Sequence, residues 1–154
     1  MSVSFTGLTP NNLPTNSRAV LDANYIVTRA LPSSASTVYS SSLDLGDAVS
    51  GIPYATTETI NVQIVAPALS SSPKLADSGT VTYTLEDSAD NSSFAAITGL
   101  STLVQTGAAS AGAAAATRTI KLPPSTRRYI RLNVTSATSP GDMSTATATL
   151  QLAF

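Results

Sequence analysis

"RRYIRLNV", residues 127–134, alternates strictly: Arg128, Ile130, Leu132 and Val134 hold the even positions, and Arg127, Tyr129, Arg131 and Asn133 the odd ones. Side chains of an extended chain point to opposite faces with a period of two. A strand here buries its even face and turns two arginines and a tyrosine outward. A helix would scatter the three aliphatic residues round its circumference.

Three other segments repeat the pattern. "TINVQIVAP" (59–67) sets Ile60, Val62 and Ile64 against Thr59, Asn61 and Gln63. "TVTYTLED" (80–87) sets Val81, Tyr83 and Leu85 against Thr80, Thr82, Thr84 and Glu86. "STATATLQLAF" (144–154) aligns Ala146, Ala148, Leu150, Leu152 and Phe154. Clusters of Ser, Asp, Gly and Pro at 70–79, 87–93 and 135–142 supply turns. Strands buried on one face need a second sheet opposite, so the expected fold is all-β, an antiparallel β-sandwich of jelly-roll type. The last two strands, joined through Ser139-Pro140-Gly141-Asp142, are expected to be neighbours in one sheet.

Two regions depart from the pattern. "GAASAGAAAAT" (107–117) is rich in the best helix former but is short, interrupted by Gly112 and without a polar face, so a mobile or partner-packed loop is expected. Residues 1–40 carry Pro10, Pro14 and Pro32 among Asn and Ser, with only "NYIVTRAL" (24–31) suggesting a strand. They form either an N-terminal arm or a first strand, preceding a sandwich domain over 41–154.

Composition excludes several functions. The 154 residues carry 8 Lys and Arg against 9 Asp and Glu, a net charge of −1, so no general polycation exists to displace counterions from nucleic acid. There is no cysteine and no histidine, which removes thiolate metal sites, the commonest imidazole ligand and the usual general base. A Ser-His-Asp triad cannot be assembled, and neither a phosphate-binding glycine loop nor a dinucleotide fingerprint occurs. No apolar run reaches the ~20 residues of a membrane span, and the start lacks the basic and apolar regions of a secretory signal. A protein without enzymatic activity, cofactor, membrane or nucleic-acid partner is expected.

The carboxylates Glu86, Asp87 and Asp90 lack the spacing that gathers oxygens around calcium. Asp87 and Asp90 are expected to bond their own backbone in a hairpin turn, and Asp44 and Asp47 to serve turn chemistry around Gly46. The acceptor patterns at Asn91 and Asn133 are frequent by chance in a Ser/Thr-rich chain. Tyr83 falls on a core face, leaving Tyr25, Tyr39, Tyr54 and Tyr129 scattered through the chain and not spaced as a sugar platform.

By parity, Arg128 opens the buried face at its rim, with its stem on apolar neighbours and its guanidinium in water. Arg127, Tyr129 and Arg131 form an exterior row in which a guanidinium can lie over the tyrosine ring. That row meets either an acidic partner or, within the chain, Glu86, Asp87 or Asp90 across the sheet.

Three stretches resemble, in order, the Bbp16-type capsid cement proteins of tailed bacteriophages: "YSSSLDLGDAVSG" (39–51), "TVTYTLEDSADNSSFAAI" (80–97) and "LPPSTRRYIRLNVTSATSPGDMSTATATLQL" (122–152). The features that carry it are Asp44-Leu45-Gly46, then Ser88, Asp90 and Phe94, then Leu122, Pro123, Arg128, Tyr129, Ile130 and Arg131. The combination "SADNSSF…RYIRL" is also similar to discoidin-type sugar-binding sandwiches. The resemblance to cement proteins implies a jelly roll on the outer surface of a phage head. Its partners would be the major capsid protein and, as a dimer or trimer, itself. Candidate interface residues are Arg127, Tyr129, Arg131, Arg18 and Arg29. The competing class is a carbohydrate-binding module on the virion.

Overall fold

The computed structural model describes residues 21–45, 60–71, 74–108, 110–137 and 141–153, with side chains from Tyr25 onward. Their strands, in chain order, are β1 (Leu21–Ala30), β2 (Thr37–Tyr39), β3 (Leu43–Asp44), β4 (Asn61–Ala66), β5 (Thr80–Ser88), β6 (Ala95–Ala96), β7 (Leu103–Thr106), β8 (Ala116–Lys121), β9 (Tyr129–Ser136) and β10 (Thr147–Ala153). No described helix is long and apolar enough to cross a membrane.

All pairings are antiparallel. One sheet runs β1-β10-β4-β8; the other runs β2-β9-β5-β6, with β3 also on β9 and β7 also on β5. β2 and β3 act as one interrupted strand: Tyr39 faces Asn133 but Leu43 faces Ile130, which leaves one extra residue on the edge strand, a β-bulge. There the Ser40 hydroxyl accepts the Leu132 N–H at 2.9 Å in place of a backbone carbonyl. β6 and β7 likewise form one strand broken by the loop between them. Counted so, the sheets order as first-eighth-third-sixth and second-seventh-fourth-fifth, the double Greek key of a jelly roll.

The period-two faces pack as the alternation requires. Ile130, Leu132 and Val134 of β9, Val81, Tyr83 and Leu85 of β5, Val62 and Ile64 of β4, and Ala148, Leu150 and Leu152 of β10 all enter one core. Phe154 lies outside the described residues. Burial pushes the Tyr83 hydroxyl above its ordinary pKa, and it stays bonded by donating to Gln105 Oε1 at 2.7 Å. The Gln105 amide in turn donates to the carbonyls of Pro67 and Ala114 at 2.8 and 2.7 Å, tying two loops to the sheet.

Two expectations need correcting. β9 and β10 are not neighbours but belong to opposite sheets. Their connection is longer than a tight hairpin, and it drops Met143 into the core at 0 % exposure, which carries the chain across. The alanine-rich stretch is a loop, but it is pinned within the chain: Ala113 and Leu69 exchange backbone hydrogen bonds at 2.8 Å, and Ser78 and Gly79 bracket Gly107 at 2.9 Å. Its last residues already belong to β8. Within the first forty residues, β1 pairs with β10 and β2 with β9, and residue 40 falls between two strands that pair with β9. Residues 1–20, including Arg18, lie outside the described residues.

Candidate functional site

β9 and β5 pair without interruption from Ser136 opposite Val81 to Tyr129 opposite Ser88. This register sets Arg131 directly across from Glu86 on the outer face of the sheet. Arg131 Nε donates to Glu86 Oε2 at 2.8 Å, and Asn133 Nδ2, two pairs along the ladder on the same face, donates to Glu86 Oε1 at 2.6 Å. The guanidinium lies 3.9 Å from the Tyr39 ring centroid and 4.0 Å from that of Phe94. Tyr39 comes from β2 at one edge of the sheet and Phe94 from the chain just before β6 at the other. A planar cation sandwiched by two rings and held by a carboxylate therefore clasps both edges to the central strands. The polar chain continues along the face, because the Thr135 hydroxyl donates to Asn133 Oδ1 at 3.0 Å and accepts from the Thr37 hydroxyl at 2.8 Å.

Arg127 does not extend the exterior row. β9 begins at Tyr129, so strand parity has no hold on a residue in the preceding turn, where the Thr126 hydroxyl donates to the Pro123 carbonyl at 2.7 Å. Arg127 instead curls onto Asp87: Nε and Nη2 donate to Oδ1 at 2.7 and 2.5 Å, and the Arg127 backbone N–H donates to Oδ2 at 2.9 Å. Asp87 is 5 % exposed. Turn capping, expected of Asp87, is done by Asp90 alone, which accepts the N–H groups of Ser92 and Ser93 at 3.0 and 2.9 Å. Those donors, Ser93 first, hold the exposed Asp90 carboxyl well below the usual carboxylate range.

Arg128 meets a carboxylate as well as water. Its Nε and Nη2 donate to Asp44 Oδ1 and Oδ2 at 2.8 and 2.6 Å, a two-point fork. Asp44 is a β3 residue paired with Tyr129; the turn around Gly46, with Asp47, lies outside the described residues. The cation over the Tyr129 ring is Arg128, at 5.0 Å, not Arg127 or Arg131. The three arginines thus meet three carboxylates of the same chain. Glu86, Asp87 and Asp90 diverge to Arg131, Arg127 and their own turn. The rings of Tyr39, Phe94 and Tyr129 are each engaged by a guanidinium.

Of the candidate interface residues, the structure brings Tyr129, Arg127 and Arg131 to one end of the β9 sheet. Arg29 stands apart on β1, exposed and without an ion pair among the described residues. Sequence reasoning missed Phe94, Tyr39 and Gln105 as structural partners. Only Phe94 carried a signal, as the aromatic residue after the Ser88–Asp90 turn.

The Bbp16 family model matches residues 26–150, from within β1 to within β10 and so across both sheets. The chain belongs to the Bbp16 family. Bbp16 is a phage capsid cement protein, and membership carries with it a capsid-protein partner and a place in the virion capsid. No curated protein matches the chain. Leu122-Pro123 lies in the turn before β9, and Arg128, just ahead of that strand, and Arg131, within it, fasten its sheet to itself through Asp44 and Glu86.

Proposed function

We propose that this protein binds the outer surface of an assembled phage head and clamps neighbouring major capsid subunits, raising the stress at which the shell opens. The observation that carries this reading is the Bbp16 match across the whole jelly roll. The interior supports it. A clamp transmits force only if it does not yield, and here both edges of one sheet are fastened by Arg131 while the loops at one end are joined by backbone bonds such as Gly141 N–H to the Lys74 carbonyl at 2.9 Å.

Clamping needs no chemistry, only area and repetition. A specific contact buries about 1,200–2,000 Å² in total, and contacts joined through one rigid body reinforce each other by effective concentration. A dimer or trimer on a local symmetry axis supplies that repetition, since closed symmetry is the rule for homo-oligomers. Purified protein mixed with empty mature heads is expected to co-sediment saturably, at a fixed ratio to the major capsid protein. Absence of binding, or binding to a glycan array instead, would overturn the reading.

A further inference from the structure

Among the described residues each sheet has two free edges, and three of the four are irregular. β1 shifts register against β10 between Leu21 and Ile26, β2 and β3 are separated by the bulge between Tyr39 and Leu43, and β6 and β7 by residues 97–102. β8 is unbroken: Ala116 to Lys121 pair one for one with Ala66 to Asn61 of β4, and no described strand pairs with its other side. The ladder continues to the Leu122 N–H, which donates to the Ile60 carbonyl at 3.1 Å. Counting back by twos, the backbone groups of Ile120, Arg118 and Ala116 face β4, and those of Thr117, Thr119 and Lys121 face outward. A regular row of open donors and acceptors is a template on which another chain can pair.

We propose that Arg118 guards this edge, keeping copies of the chain from joining strand to strand through β8, and that it does so by carrying its charge on the strand's inner face. Parity sets Arg118 between Ala116 and Ile120, opposite Ile64 of β4, which is fully buried. Its neighbours on that face are apolar. The Arg118 guanidinium turns across the open side of the sandwich, where it donates to the Thr102 carbonyl at 2.9 Å and to the Ser101 hydroxyl, both just ahead of β7 in the opposite sheet. A strand added to β8 would lay its own inner face over that guanidinium, and the cation has no carboxylate partner among the described residues. An unpaired cation is costly to bury, and a charge turned inward on an edge strand discourages further pairing. Lys121, exposed on the other face of β8, adds a second charge to the same edge. The bulged and interrupted edges have no such need. The inference is independent of the cement reading, although copies crowded on one shell are where open edges would meet most often.

Three measurements decide the proposal. In the unaltered protein, the amides of Thr117, Thr119 and Lys121 are expected to exchange with deuterium at least about tenfold faster than those of Arg118 and Ile120. Equal protection of the two sets would mean that the edge is already covered, and would overturn it. Arg118→Leu removes the charge and is expected to raise the rate of self-association, followed by light scattering and sedimentation, at least about tenfold over the parent at equal concentration, with the three outward amides protected in the assemblies. Arg118→Lys keeps a cation on the inner face but gives up the two-point reach to residues 101 and 102. Its association is expected to stay within about twofold of the parent, while the amide of Leu100, bonded to the Ile97 carbonyl at 3.3 Å, exchanges faster. A leucine variant that associates no faster than the parent, or a lysine variant that associates as fast as the leucine one, overturns the assignment. So do assemblies in which Thr117, Thr119 and Lys121 remain unprotected, since association would then run through another surface or through unfolding. None of these outcomes bears on head binding, which tests the cement reading separately.

Discussion

Replacing Arg131 with lysine keeps the charge and removes the plane. The guanidinium contacts two rings, at 3.9 and 4.0 Å, and each such contact is worth about 0.5–1 kcal/mol when partly exposed. Its ion pair is semi-buried, with side-chain exposures of 21 % for Arg131 and 12 % for Glu86. An ammonium can hold one carboxylate oxygen but cannot stack between two rings while doing so. Arg131→Lys should therefore cost about 1–2 kcal/mol, or about 2–8 °C in Tm for a domain of this size. Arg131→Met also leaves Glu86 with Asn133 alone, and should cost about 2–4 kcal/mol. Thermal unfolding by circular dichroism reads the shift, and hydrogen exchange reads its location. The amide of Ile97, bonded to the Leu85 carbonyl beside β6, and that of Ser40, bonded to the Leu132 carbonyl beyond β2, should both exchange faster. A lysine variant that melts within about 1 °C of the parent, with both amides unchanged, would refute the clasp.

Other perturbations test separate parts of the structure. Asp87→Ala removes the carboxylate that holds both the Arg127 guanidinium and its backbone N–H, leaving only the residue-87 carbonyl at Nη2, and should cost about 2–4 kcal/mol in chemical denaturation; a loss below about 0.5 kcal/mol would show the pair to be idle. Gly112 has φ +78°, and a Cβ there would run into the Leu69 carbonyl oxygen. Gly112→Ala should therefore lower Tm measurably by unseating the 107–115 loop from residues 69–79. Asp90 has a folded pKa depressed below its unfolded value. Its contribution is complete above about pH 4 and is lost as pH falls through the folded value. Asp90→Asn should flatten the acid limb of a Tm–pH curve below about pH 4 while also lowering Tm at neutral pH.

Local alternation revealed which face of a strand is buried, but not which strand lies beside it. That is why the even side of β9 was legible residue by residue, while the placement of β10 in the opposite sheet was not: it depends on a long connection and on Met143 entering the core. β8 was hidden for a different reason. Its threonines and Arg118 follow directly on alanines that read as loop, and the Arg118 guanidinium leaves the sheet to bond the Thr102 carbonyl at 2.9 Å and the Ser101 hydroxyl. The arginine cluster was legible in type and not in partners. Arg131 finds Glu86 only because β5 and β9 pair in one register, and Arg127 escapes strand parity because the ladder starts two residues later. The stack of Tyr39, Arg131 and Phe94 joins residues from three separate stretches, and no local pattern records it.

Clamping, and not binding alone, is the central claim, and the most direct measurement is the temperature at which DNA-filled heads release their DNA to a dye, followed as the protein is titrated in. The account predicts that this temperature rises with occupancy and levels off at the ratio where co-sedimentation saturates. Saturable binding that leaves the release temperature unchanged would contradict it.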